Sequence, residues 1–87
     1  MAEKRLVKLV EKVLGNPKNV DFDELRRLLE GFDYACRAPG SGSSHYTFRK
    51  PGCPHIITVP KDKPVNKTYV KQVVKLLNLE EWHEKNG

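Results

Sequence analysis

At 87 residues the chain has room for one small hydrophobic core and none for a second catalytic domain. Its 38% hydrophobic and 31% charged content argue against a disordered chain, and two cysteines are too few for a disulfide-built scaffold. Sixteen Lys and Arg against eleven Asp and Glu give a net charge of +5, concentrated between Arg37 and Lys75, where eight basic residues stand with the single acid Asp62; a segment that basic suits a partner carrying phosphates.

Along the chain, the first residues carry charges every few positions (Glu3, Lys4, Arg5, Lys8, Glu11, Lys12), which leaves no uninterrupted apolar signal region, and nothing downstream approaches a membrane span. Cys36 and Cys53 form no Cys-x-x-Cys pair and read as free thiols in a reducing cytosol, so a cytoplasmic protein is expected. Between Glu3 and Leu14, the residues Leu6, Leu9, Val10, Val13 and Leu14 recur at spacings of three and four and predict a helix, stopped by Gly15 and Asn16-Pro17. Asp21 and Glu24 have the spacing of a capping box. They start a second helix whose buried face is Phe22, Leu25, Leu28 and Leu29 and whose expected stop is Gly31.

The run Asp33 to Arg37 predicts a short strand, with Tyr34 and Cys36 on one side and Ala35 and Arg37 on the other. Ala38 to Ser44 is too rich in Pro, Gly and Ser for regular structure and predicts a loop. His45 to Lys50 alternates, Tyr46 and Phe48 against His45, Thr47 and Arg49, as a half-buried strand should. Pro51-Gly52 suits a type II turn, and His55 to Val59 is the expected returning strand of a tight hairpin. After a basic loop between Pro60 and Pro64, Asn66 is the expected cap of a last helix that turns Tyr69, Val70, Val73, Val74 and Leu77 inward and aligns Lys67, Lys71 and Lys75 on another side. The segment around Trp82 either extends that helix or docks back on the domain.

The expected fold is therefore a single α+β domain, α-α-β-β-β-α, with a three-stranded antiparallel sheet covered by helices on one face. Gly42-Ser43-Ser44-His45-Tyr46-Thr47-Phe48, then Ile56-Ile57-Thr58-Val59-Pro60, then a helix with Tyr69-Val70-Lys71-Gln72, resembles the HicA family of toxin-antitoxin systems. The resemblance covers roughly residues 20–77, leaving residues 1–19 as a helical extension and 78–87 as a tail. It implies a fold like that of the double-stranded-RNA-binding domain, a metal-independent endoribonuclease activity on messenger RNA, a HicB-like antitoxin as protein partner, and His45 as the catalytic residue. Two positions depart from the family pattern. Ser43-Ser44 adds a residue between the glycine and the histidine, and Lys61 stands where many members carry a second histidine.

Residue chemistry supports the same position. Metal-free RNA cleavage needs a base for the 2′-hydroxyl, an acid for the departing 5′-oxygen and positive charge beside the phosphorus. Imidazole, with an unperturbed pKa of about 6.5, exchanges protons at neutral pH, and Arg or Lys stabilises the developing charge. Arg49 shares the strand face of His45, and Arg37, Lys50, Lys61, Lys63 and Lys67 are candidate RNA-binding residues, with Gly42, Ser43 and Ser44 forming the loop at the site. No cofactor or metal is expected: Cys53-Pro54-His55 is too tight a pair to serve zinc. His55 is expected to be a strand-start residue near the turn, without a catalytic role but within reach of phosphate, and His83 to be solvated. The alternative is a non-catalytic module that binds RNA or an antitoxin through the same basic face, and the chain alone is expected to be a monomer.

Overall fold

A computed structural model describes residues 4–40 and 45–86, arranged as α1 (Lys4–Gly15), α2 (Phe22–Gly31), β1 (Ala35–Arg37), β2 (His45–Arg49), β3 (Ile57–Pro60), α3 (Lys67–Leu77) and α4 (Leu79–Asn86). The apolar stripe of α1 buries Val10 and Val13 and lays Leu6, Leu9 and Leu14 at the edge of the core. Helix α2 begins with the expected capping box, Glu24 Oε1 accepting from the Asp21 N–H at 3.0 Å, and buries Phe22, Leu25, Leu28 and Leu29. Lys12 pairs with the same Glu24 carboxylate and ties α1 to α2. Burial alone would raise that carboxyl group. The hydrogen bonds from Lys12 and the Asp21 N–H, with the charges of Lys12 and Arg27, outweigh it and hold the group below its ordinary value.

Gly31 is the last residue of α2, but the left-handed residue that turns the chain is Asp33, at φ 69°. The helix thus ends at Gly31 as expected, although the left-handed turn falls two residues later. The lack of a side chain at Gly31 serves packing: a Cβ there would lie 2.7 Å from Leu6 Cδ1, so the glycine lets α1 approach α2. The Tyr34 N–H then donates to Leu29 O, and the strand starts only at Ala35.

The sheet has the order β1-β2-β3 and is antiparallel throughout. Cys36, Phe48 and Ile57 form one cross-strand row, Tyr46 and Val59 the next, and these face the helices. Phe48 and Val59 are completely buried, and such side chains contribute about 1.5–3 kcal/mol each by leaving water. The α+β arrangement with a three-stranded antiparallel sheet is the expected one.

The hairpin differs from its expectation. Pairing between β2 and β3 ends at Phe48 and Ile57, so His55 and Ile56 lie outside β3, and the strand runs on to Pro60 instead. The expected turn is present, with Cys53 N–H donating to Lys50 O at 3.0 Å and Gly52 at φ 81°. Pro51 lies within it and Pro54 follows it, and a residue without an N–H cannot extend the ladder, so the tight hairpin becomes a longer connection.

The chain after β3 is held to the front of α2 by two backbone bonds, Phe22 N–H to Asp62 O at 3.2 Å and Val65 N–H to Val20 O at 2.8 Å. Asn66 caps α3 as expected, accepting from the Thr68 N–H at 2.9 Å. Asn78, at φ 51°, breaks the helix, and α4 turns back to bury Leu79 and set Trp82 edge-on to Phe32 with ring centroids 5.2 Å apart. His83, expected in solvent, is half-buried and pairs with Glu11 of α1 at 3.2 Å, because the docking of α4 brings the two helices together. No helix among the described residues is long and apolar enough to cross a membrane.

Candidate functional site

The facing of β2 is fixed by aromatic packing. The Phe22 ring at the start of α2 lies 4.8 Å from the Tyr46 ring and 6.2 Å from the Phe48 ring, centroid to centroid. With Tyr46 and Phe48 anchored inward, the two-residue period of a strand turns His45, Thr47 and Arg49 outward, and a slip of one residue would exchange the faces. His45 and Arg49 are exposed, and Thr47 is half-buried between neighbouring strands.

Register then decides which outward residues become neighbours. Thr47 stands opposite Arg37 on β1 and opposite Thr58 on β3, so Arg37, Thr47 and Thr58 form one row across the sheet. His45, opposite Pro60, begins the adjacent row, while Arg49, opposite Ala35, lies on the other side. The register makes Arg37 a diagonal neighbour of His45, a relation that sets residues of an antiparallel pair about 7–8 Å apart. Arg49 is four residues along the strand from His45, about 13 Å. Of the two outward arginines, Arg37 is therefore the nearer to His45 by register.

Of the other candidate RNA-binding residues, Lys61 follows Pro60 directly and so leaves the sheet at the His45 end, with Lys63 in the same exposed loop. Lys50 sits beyond the opposite end of β2, its Nζ 5.8 Å from the centre of the Tyr34 ring on the core-facing side. It is not brought to His45. Lys67 is exposed in the first turn of α3, on the helical layer. Gly42, Ser43 and Ser44 lie outside the described residues.

Thr58 joins this row although it is not among the candidate residues above. The alternation of Ile57 and Val59 inward already turned it outward, and a threonine between two buried β-branched residues was the available signal.

The thiols stand apart from this face. Burial pushes the Cys36 thiol up, only partly offset by the Arg26 charge, and burial with the Cys53 contact at 3.9 Å pushes the Tyr34 phenol up. Among the described residues, no three His, Cys, Asp or Glu side chains converge as metal ligands.

Chemically, the row offers a planar guanidinium with several N–H donors and two hydroxyls, next to an imidazole. A guanidinium matches two phosphate oxygens at once, and hydroxyls donate to the same group without adding charge. Comparisons with protein-family models, curated proteins and solved structures found no match to the chain.

Proposed function

We propose that the chain is an endoribonuclease toxin resembling the HicA family, cleaving messenger RNA in the cytoplasm without a metal and neutralised by a HicB-like antitoxin. The observation that carries this reading is the adjacency, through sheet register, of His45 and the row Arg37–Thr47–Thr58 on the face away from the helices. In the proposed step, His45 takes the proton of a ribose 2′-hydroxyl as that oxygen attacks the phosphorus. The bond to the 5′-oxygen breaks, leaving a 2′,3′-cyclic phosphate on one fragment, and the departing oxygen takes a proton from water to become the 5′-hydroxyl of the other. Arg37 neutralises the non-bridging oxygens, where negative charge accumulates. Lys61 and Lys63 hold the strand as it leaves the sheet, and Arg49 holds it at the far end.

Incubating the protein with messenger RNA in EDTA tests the reading. Fragments ending in 2′,3′-cyclic phosphate are expected, and a substrate with 2′-deoxyribose throughout should stay intact. Cleavage that needs an added divalent ion, or that proceeds on the deoxy substrate, contradicts it.

A second reading is a non-catalytic RNA-binding module. It is favoured by the presence of Arg37, Arg49, Thr47 and Thr58 on one outward face, a set of cationic and hydroxyl side chains that suits phosphate with or without chemistry at His45. It predicts salt-sensitive RNA binding and intact RNA under every condition.

A further inference from the structure

Among the described residues only two large apolar side chains are strongly exposed, Ile56 at 52% and Leu76 at 40%, and both line one groove of about 500 Å³. One wall is the chain entering β3, from His55 to Thr58, and the other is the last turns of α3, with Gln72, Lys75 and Leu76; Ile57 and Val73 are largely buried within it. Strand β3 is an edge of the sheet, paired among the described residues with β2 alone.

We propose that this groove receives an extended, acidic segment of a partner protein, which pairs with the outer edge of β3 as a fourth strand and sets alternate apolar side chains against Ile56 and Leu76. An unpaired strand edge supplies backbone donors and acceptors in a row, and apolar contacts for every second side chain supply selectivity. The charge selects the partner. Lys75 and His55 stand on the groove, and none of the described lining residues is acidic. A second copy would bring a net charge of +5 against this basic rim. Pro60 at the end of β3 has no N–H and limits how far two such edges could run together. An added strand would lie about 10 Å from β2, two strand spacings away, and would border the open face at Thr58. The proposal does not depend on His45 being catalytic.

The probe is a fluorescent decapeptide alternating Val and Glu, with binding followed by anisotropy. Two control peptides are measured beside it: one alternating Val and Lys, and one with the acidic sequence but N-methylated at every second residue. Binding of the acidic peptide, weakened at least tenfold in either control, is expected. Leu76→Glu should weaken it at least tenfold. Lys75→Glu should weaken the acidic peptide and strengthen the lysine peptide, while Arg37→Ala should leave the affinity within twofold. Circular dichroism checks that each variant is folded, and both groove positions are exposed enough for this to be expected. Absence of acidic-peptide binding, indifference to N-methylation, or equal affinity in Leu76→Glu overturns the proposal. So does a concentration-dependent dimer of the unliganded chain that Leu76→Glu abolishes, which would assign the groove to a second copy.

Discussion

The two faces of the sheet are built from the same three strands and the same register, yet one carries the fold and the other carries the candidate chemistry. Facing the helices, Cys36, Phe48 and Ile57 make a continuous apolar row against Phe22 and the rest of the core. Facing away, the very next backbone positions present Arg37, Thr47 and Thr58. Because a strand's side chains alternate strictly, aromatic anchors on one face determine which side chains are presented on the other. Phe22 of α2 thus sets the facing of His45 through its neighbours, by packing on Tyr46 and Phe48.

That comparison can be broken most severely from the inner face. Phe48→Ala removes a completely buried ring at the centre of the sheet and should cost about 3–5 kcal/mol, enough to unfold much of a domain this small at ordinary temperature. Chemical denaturation measures it, and a loss below 1 kcal/mol would mean that the inner row does not hold the sheet. On the outer face, Arg37→Ala should lower RNA cleavage about 10–100-fold through loss of a charged phosphate contact, while moving the unfolding midpoint little. Arg49→Ala should have a smaller effect on cleavage, because it lies farther along the strand. Equal losses from the two would remove the distinction that the register makes.

How much of this was legible in the sequence follows from what each feature depends on. The facing of every strand residue was legible, since alternation and aromatic placement are local properties of Tyr46-Thr47-Phe48. So were the caps at Asp21 and Asn66, which are set by a few consecutive residues. The neighbour of His45 was not, because Arg37 is brought there by register across a loop, and the sequence grouped His45 with Arg49 on the same strand instead. The start of β3 was misjudged because His55 and Ile56 look strand-like, whereas Pro51 and Pro54 delay the pairing. The role of Gly31 and the pairing of His83 with Glu11 depend on contacts between helices distant in the chain, α1 with α2 and α1 with α4.

A smaller effect sharpens the contrast from the helical side. Glu24→Gln should lower stability by about 1 kcal/mol at neutral pH, through loss of the Lys12 pair and a weaker bond to the Asp21 N–H. The folded carboxyl is held below its ordinary value near 4.5, so its contribution is fully present above that pH and is lost as pH falls through the folded-state value. Thermal unfolding of both proteins across this range should show curves that separate at neutral pH and converge in acid. A constant gap at all pH values would assign the loss to shape rather than charge. The smallest effect expected is from Thr58→Ala, within about 0.5 kcal/mol in stability because the side chain is exposed, with a modest loss of RNA affinity.

The most direct test of the central claim is to measure RNA cleavage and the unfolding midpoint on the same preparations of the wild-type protein and His45→Ala. The account predicts that cleavage in EDTA falls at least 100-fold while the midpoint stays within a few degrees, since the exposed imidazole lies on the face that does not hold the fold. Cleavage by His45→Ala at the wild-type rate, with the protein folded, would contradict it.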